Sequence, residues 1–268
     1  MKYFLLFFIT FTLKGLGQIT VVDYQLSTNF GLPITTNWVL VFNENESYFY
    51  KEYSKIKTDN NDKNMFSLKN ANNKKEVNNI NVKVDFRRFY KAEFEKDSLF
   101  SQIGIVEKPY YVHEQIPKLD WEILKEKKTI KDYTCQKAKT HFRGRTYYVW
   151  FTTEIPTQAG PWKFNGLPGL ILRVENSTST ILMKATKIQK KPDTTLEALI
   201  TQIDFLQPKG ERLSLKEFIP LKDNEFIEMI KKQSAHRNSR NTTTVISKPA
   251  ERQGFEKVYE WEEEEKGN

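Results

Sequence analysis

Few side chains in this sequence have the spacing that catalysis or metal binding requires. The three histidines are His113, His141 and His236, and the single cysteine is Cys135. None of the four lies at a spacing typical of a zinc site. The sequence also lacks a nucleophile elbow, a phosphate loop and a dinucleotide-binding fingerprint. We therefore predict neither a metal ion nor a cofactor.

Two arginines that flank a glycine are the clearest candidate for binding a charged ligand. Arg143 and Arg145 bracket Gly144, between two β-rich runs that predict a hairpin with a tight two-residue turn. The predicted register pairs Phe142 with Arg145 and Lys137 with Trp150. The two guanidinium groups could form a fork for a carboxylate or phosphate. The alternative is that both are salt-bridged or solvated.

Aromatic side chains near this hairpin favour binding over bond-breaking chemistry. One predicted face combines lysines with aromatic rings, which could form cation–π pairs on an open sheet surface. Lysines lying along a solvated face are the alternative. The candidate ligand contacts are Arg143, Arg145, Trp150, Trp162 and Phe164.

A catalytic alternative would use His141 or paired carboxylates near the segment that follows the hairpin. It requires His141, an acid and a groove within hydrogen-bond reach of one another. Carboxylates are numerous in the chain, with 34 Asp and Glu residues, and the context singles out none of them. An exported hydrolase therefore stays open as an alternative function.

The segment that must position these residues is the densest cluster of glycine and proline in the chain. It predicts a joint between two hairpins, because these residues restrict or free the backbone, and it leads into a buried strand. Whether the same joint lines a pocket is left open by the sequence. The motif residues are Gly160, Pro161, Gly166, Leu167, Pro168, Gly169, Leu170 and Ile171.

These residues also carry a family resemblance. Residues 166–171 read Gly-Leu-Pro-Gly-Leu-Ile, and the Asp132 to Ala138 segment, Phe142 to Arg145 and Trp150 to Thr152 precede them in matching order. The chain resembles the GLPGLI family, secreted proteins mainly of Bacteroidota, over about residues 120 to 190. The resemblance implies export and supplies no reaction.

The N-terminus predicts a secretory signal peptide. Met1-Lys2 is followed by an apolar run and by the small-residue site Gly15-Leu16-Gly17, so we expect residues 1–17 to be cleaved before Gln18. The apolar run is too short for a membrane span, and no later segment is apolar enough. We expect a periplasmic or extracellular protein without a transmembrane span in the mature chain. Its single cysteine leaves no internal disulfide, and Cys135 is expected to be a small buried side chain.

The fold class predicted is mainly β. Consecutive aromatic-rich runs from Ile19 onward indicate a curved antiparallel sheet or half-barrel meander, with one or two C-terminal helices. Ser214 and Glu217 form a capping-box pattern, and Pro220 favours two short helices over one. A charged turn region is predicted at Lys125 to Lys131. The domains are a single β-rich domain at 18–234 with a mobile loop at about 55–79, and a polar, partly disordered tail at 235–268.

The function predicted is that of an exported cell-envelope protein. Missing catalytic motifs and aromatic-rich strands favour a non-enzymatic binding or carrier module for an apolar, lipid-like or peptide ligand. Loss of Lys2 and Lys14 with the signal peptide takes the formal net charge from +8 to +6. In an exported protein this charge suits an anionic membrane leaflet or lipopolysaccharide better than nucleic acid, so no nucleic-acid partner is expected. Ordinary solubility is the alternative explanation of the charge. An envelope protein is a further candidate partner. The alternatives are the exported hydrolase and an accessory protein to an outer-membrane transporter.

Overall fold

The computed structural model describes residues 19–52, 88–105, 108–191, 196–201, 208–237 and 252–264. The predicted signal peptide and the predicted mobile loop at 55–79 lie outside these residues. Twelve strands of the described chain form one unclosed sheet, which confirms the mainly β fold class. The strands are β1 (Ile19–Asn29), β2 (Pro33–Phe42), β3 (Glu46–Lys51), β4 (Phe89–Glu93), β5 (Ser98–Ile105), β6 (Lys108–Gln115), β7 (Glu122–Ile130), β8 (Tyr133–Phe142), β9 (Arg145–Thr152), β10 (Leu170–Asn176), β11 (Ile181–Lys191) and β12 (Glu211–Ser214).

The sheet consists of two meanders joined side by side. Its strand order is β12-β6-β5-β4-β3-β2-β1-β11-β10-β9-β8-β7, so β1 and β11 join the first meander to the second. Neighbouring strands are antiparallel except for β12, which pairs in parallel with β6. Short hairpin connections explain this arrangement, because most strands pair with the strand that precedes them in the chain.

The sheet is strongly curved. Strands β6 and β9 are eight positions apart in the strand order, which corresponds to about 38 Å across a flat sheet. Yet Glu114 of β6 lies 2.7 Å from the guanidinium group of Arg143, in the turn between β8 and β9. The two sides of the sheet therefore approach each other, as in the half-barrel that the sequence predicts.

The interior of this curve is filled by the chain itself. Its apolar cluster joins Tyr24 and Trp38 of the first meander to Tyr147 of the second, together with Trp162 and Phe164 from the segment between β9 and β10. Phe164 is 1% exposed and Trp162 is 6% exposed. The glycine and proline segment therefore supplies part of the core as well as a connection between strands.

Three helices are described, α1 (Leu196–Thr201), α2 (Leu215–Arg237) and α3 (Glu260–Glu264). The capping box predicted for α2 is present, since the Glu217 amide donates to the Ser214 hydroxyl and the Ser214 amide donates to the Glu217 carboxylate. The prediction of two short helices is wrong, because α2 continues through Pro220. Pro220 is the sixth residue of α2, and the buried side chains of Phe218 and Ile219 hold the turn around it against β6.

The predicted charged turn region at Lys125 to Lys131 needs correction. Lys125 to Ile130 belong to the edge strand β7, where most side chains are exposed. An edge strand with charged side chains resists pairing with other chains, which accounts for its unusual composition.

Part of the predicted tail is ordered. Residues 252–264 pack against the domain, where the sequence predicted a tail that is partly disordered. Residues 238–251 and 265–268 of the tail lie outside the described residues. We call the thirteen residues 252–264 the strap.

No helix within the described ranges is both long enough and apolar enough to cross a membrane.

Candidate functional site

The site begins at the turn between β8 and β9. The observed register pairs Phe142 with Arg145 and Lys137 with Trp150, as predicted. Arg143 and Gly144 have φ angles of 45° and 77°, the left-handed values that a type I′ turn requires at both central positions. Only glycine adopts this region without steric cost, so Arg143 is held there by its surroundings.

Those surroundings are a buried cluster of charges. We call Glu114, Arg143, Lys163 and Glu256 the rim cluster, because they join the two sides of the curved sheet. Arg143 donates to Glu114 at 2.7 Å and also to Glu256, while Lys163 forms ion pairs with the same two carboxylates. The side chain of Lys163 is 1% exposed and that of Glu256 is 13% exposed. Glu260 contacts Arg143 at the solvent-exposed edge of the cluster.

Charge pairing keeps the rim cluster ionised. Burial alone would raise the pKa of Glu256, but the Lys163 ammonium and the Arg143 guanidinium outweigh this effect and lower it. Burial would likewise lower the pKa of Lys163, but the carboxylates of Glu114 and Glu256 raise it. Glu256 and Lys163 are therefore both charged near neutral pH. Together they form a buried ion pair whose partners depend on one another.

The strap closes over the hairpin through main-chain contacts. Arg145 Nε donates to the carbonyl of Gly254 at 2.6 Å, and the Tyr147 hydroxyl donates to the carbonyl of Phe255. The amide of Lys257 donates to the carbonyl of Arg143 at 2.9 Å. Each contact orders a strap group that would otherwise be solvated, so the strap is tied along its length.

An apolar contact completes the docking of the strap. The ring centroid of Phe255 lies 4.7 Å from that of Trp162. A Cβ atom at Gly144 would lie 3.1 Å from the Cβ atom of Lys257, so the missing side chain lets the strap approach the turn closely. Position 144 therefore requires glycine for two reasons, the positive φ of the turn and the close packing of the strap.

A groove of about 590 Å³ opens beside the rim cluster. Its walls come from the ends of β5 and β6, the start of α2, and the strap. The lining combines carboxylates, cations and hydroxyl groups with one indole ring, a set that suits a polar ligand. The residues that line it are Asp97, Ser98, His113, Glu114, Gln115, Ile116, Pro117, Lys118, Arg143, Ser214, Leu215, Lys216, Glu260 and Trp261.

The structure brings four of the five predicted ligand contacts together and separates the fifth. Arg143, Arg145 and Trp162 contact the strap, and Phe164 packs against Trp162 with 5.0 Å between ring centroids. Trp150 instead lies beneath Lys128, whose Nζ atom is 3.8 Å from the indole centroid. Ligand binding by these residues stays a prediction, since both arginines contact groups of the chain itself.

The glycines of the motif have different structural roles. A Cβ atom at Gly160 would lie 1.9 Å from the carbonyl oxygen of Phe164, and one at Gly169 would lie 2.0 Å from that of Thr152. Two backbone segments approach closely at both positions, so both positions require glycine. Gly166 has a φ of 83° and open space around it, so its requirement is conformational. Leu170 and Ile171 follow as the buried start of β10, as the predicted joint requires.

Three members of the rim cluster were not among the predicted site residues. Glu114, Lys163 and Glu256 are distant in sequence, and no local pattern connects them. One signal was available, because Lys163 is the single charged residue between Ile155 and Leu172. A charged side chain within a segment that supplies the core predicts a buried partner of opposite charge.

His141 does not meet the geometry that the hydrolase alternative requires. Its side chain is exposed, and its Nδ1 atom lies 3.3 Å from the hydroxyl oxygen of Thr146. It is not among the residues that line the groove. Among the described residues, no group of three or more histidine, cysteine, aspartate or glutamate side chains could hold a metal ion.

Comparison with known protein families identifies the family to which the chain belongs. A family model described as the N-glycanase peptide, N-terminal domain, matches residues 47–209, which is more than half of the sequence. The chain belongs to this N-glycanase N-terminal domain family. No curated protein matches it. The comparisons leave the resemblance to the GLPGLI family untested, so that assignment stays a prediction.

One of the similar solved structures shares the fold of this chain at low sequence identity. The structure of PNGF-II in the C2 space group is 16% identical, with a TM-score of 0.51 over 78% of this chain and 33% of that chain. The P21 form is also 16% identical, with a TM-score of 0.49 over 75% and 32% of the two chains. An uncharacterised conserved protein from Thermus thermophilus is 7% identical, with a TM-score of 0.38 over 74% and 93%. This chain thus spans about a third of the length of PNGF-II.

Proposed function

We propose that this domain is a non-enzymatic binding module of an exported cell-envelope protein. We propose further that its ligand is a peptide carrying an N-linked glycan, bound in the groove beside the rim cluster. The observation that carries the proposal is the lining of that groove. The indole of Trp261 offers a stacking surface, and Asp97 and Glu260 offer acceptors for sugar hydroxyls and peptide amides.

The filled interior of the sheet supports a polar ligand over an apolar one. The sequence favoured an apolar, lipid-like or peptide ligand held on the concave face or by the glycine and proline segment. In the structure, Trp162, Phe164 and Leu167 from that segment are buried in the concave core. A lipid-like ligand would have to displace these side chains, whereas a peptide in the groove displaces none of them.

The family supports a binding role and directs attention to glycopeptides. The matching model describes the N-terminal domain of an N-glycanase, and this chain spans about a third of PNGF-II. A domain that accompanies a glycanase would contribute by holding a glycosylated polypeptide. The ionised groups of the rim cluster pair with one another, which suits a structural or binding role better than proton transfer.

The remaining alternatives receive less support. The hydrolase at His141 would need a groove and an acid beside that histidine, and His141 contacts Thr146 away from the groove. An accessory protein to an outer-membrane transporter would use a sheet edge, but the edge strand β7 carries a run of charged side chains from Lys125 to Lys128. Such charges oppose the addition of another strand. Export itself is proposed on the signal peptide predicted at residues 1–17 and the resemblance to a secreted family.

Calorimetric titration of the full mature chain tests the proposal. The probes are a synthetic peptide bearing an N-linked pair of N-acetylglucosamine residues and the same peptide without sugar. We expect the glycosylated probe to bind, and Trp261→Ala and Lys118→Glu to weaken its binding at least tenfold. The matched control is Ile123→Ala, an exposed side chain on β7 that should leave binding unchanged.

Three results would contradict this function. Equal binding of the glycosylated and bare peptides would remove the glycan from the proposal, and binding of neither would remove the groove as the ligand site. Release of the sugar by the purified chain would show that the module is an enzyme. Thermal unfolding of each variant, followed by circular dichroism, separates a lost contact from a lost fold.

A further inference from the structure

The strap occupies a cleft that has the contacts of a peptide-binding site. We propose that this cleft binds a segment of another polypeptide, with an aromatic residue followed directly by a glutamate, in exchange for the strap. This inference goes beyond the proposed function, because it concerns the cleft beneath the strap and a different ligand, although Arg143 and the strap residues Glu260 and Trp261 also line the groove. The cleft is formed by the turn between β8 and β9, strand β9 and the segment that holds Trp162 and Lys163.

Main-chain recognition is the first reason. The side chains of Arg145 and Tyr147 donate to the carbonyl groups of Gly254 and Phe255, and the carbonyl of Arg143 accepts from the amide of Lys257. These three bonds involve groups that most residues of any polypeptide possess. A different segment that follows the same bent path as the strap can therefore make the same bonds.

Two adjacent side chains give the cleft its specificity. Phe255 packs against the indole of Trp162, and Glu256 is bound by Lys163 and Arg143. A segment without the aromatic ring would leave part of the indole exposed. A segment without the carboxylate would leave Lys163 and Arg143 with fewer acidic partners in a buried site, which is costly. The cleft thus selects an aromatic residue followed by an acid.

The docked strap also has costs that make exchange feasible. Tyr259 is 1% exposed, and its hydroxyl has no hydrogen-bond partner among the described residues. Burying the charges of Glu256 and Lys163 offsets much of the energy gained when they pair. Burying an unpaired hydroxyl also costs free energy. These costs make the net energy of docking smaller than the number of contacts suggests, so a competing segment can displace the strap.

The test uses full-length protein and a labelled peptide with the sequence of residues 252–262. The Phe255→Ala/Glu256→Ala variant weakens the attachment of its own strap while its cleft remains intact. By fluorescence anisotropy, we expect this variant to bind the peptide at least tenfold more tightly than the wild type. A control peptide carrying the same two alanines should bind neither protein, and the Leu32→Ala variant should behave like the wild type.

Each outcome of this binding experiment has its own interpretation. If the double variant fails to fold, Phe255→Ala alone carries the test, because it leaves the rim cluster charged. Equal binding by variant and wild type, or binding by neither, overturns the proposal. A wild-type dimer that disappears in Phe255→Ala would overturn the assignment to a different polypeptide, because the occupant would be the strap of a second copy. Since Lys118 lines the groove and lies outside both the strap and the cleft, the Lys118→Glu arm of the groove test makes failure of one proposal separable from failure of the other.

Discussion

The carboxylate of Glu256 lies 2.8 Å from the ammonium nitrogen of Lys163, although the two residues are 93 positions apart in the sequence. Both side chains are largely buried, and Arg143 and Glu114 complete the same cluster. This pair connects the strap to the glycine and proline segment. Through Glu114 it also connects both to the opposite side of the curved sheet. It therefore holds together parts of the chain that β-pairing does not join.

Removing the charge of Glu256 is expected to destabilise the protein strongly. Glu256→Gln leaves two buried cations, Lys163 and Arg143, with fewer acidic partners, and breaking a buried ion pair costs about 3–5 kcal/mol. Urea denaturation followed by tryptophan fluorescence measures the loss. Glu260→Gln is the matched control, because that side chain is 58% exposed and its pair with Arg143 should contribute less than about 1 kcal/mol. Similar losses in the two variants would contradict the importance of burial.

The stability supplied by Glu256 is expected to depend on pH. Because the fold lowers the pKa of this carboxyl below its ordinary value of 4.5, its contribution is fully present above that value. The contribution is lost as the pH falls through the lower pKa of the folded state. The difference in unfolding free energy between wild type and Glu256→Gln should thus be constant near pH 7 and shrink below about pH 4.5. A difference that does not change between about pH 3 and pH 7 would refute this role.

The stability lost when a motif glycine is replaced by alanine should depend on the space around that glycine. Gly169→Ala places a methyl group 2.0 Å from the carbonyl oxygen of Thr152, so we expect a loss of about 3 kcal/mol or more. Gly166→Ala meets no neighbouring atom and should cost about 1–2 kcal/mol through its positive φ alone. Thermal unfolding of the two variants gives the comparison. The reverse order would show that the close approach at Gly169 is relieved by a small shift of the backbone.

Lys128 and Trp150 should show a measurable energetic coupling. The Nζ atom of Lys128 is 3.8 Å from the centroid of the indole, and such pairs are worth about 0.5–1 kcal/mol at partly exposed sites. A double-mutant cycle with Lys128→Met and Trp150→Leu isolates this energy. Lys128→Met combined with Leu32→Ala should be additive, because Leu32 is an exposed side chain in the turn between β1 and β2. If the effects of Lys128→Met and Trp150→Leu are additive, the contact between Lys128 and Trp150 has no coupling energy.

Local patterns predicted the central hairpin, the start of α2 and the segment that joins the two hairpins. The register around Gly144 followed from two alternating runs and a glycine, and the start of α2 followed from Ser214 and Glu217. The position of residues 160–171 as a joint between two hairpins followed from the way glycine and proline free or restrict the backbone. Each of these depends on residues that are neighbours in the sequence, where propensity and turn geometry act directly.

Contacts between residues that are distant in the sequence could not be predicted from one sequence. Nothing near Arg143 predicts that its partners are Glu114 and Glu256, because the curvature of the sheet and the path of the strap bring them together. The continuation of α2 through Pro220 depends on the packing of Phe218 and Ile219. The composition of β7 reflects its place at the edge of the sheet, which only the strand order reveals.

The strap also has a consequence for the order of folding. Its contacts with Arg143 and Lys163 close loops of about a hundred residues, whereas most strand pairs form between neighbours in the chain. Long loops close late, because their entropy must be lost before the contact is gained. The strap should therefore be the last part to fold and the first to open. In native-state hydrogen exchange it should behave as a separate unit, less protected than the sheet it covers.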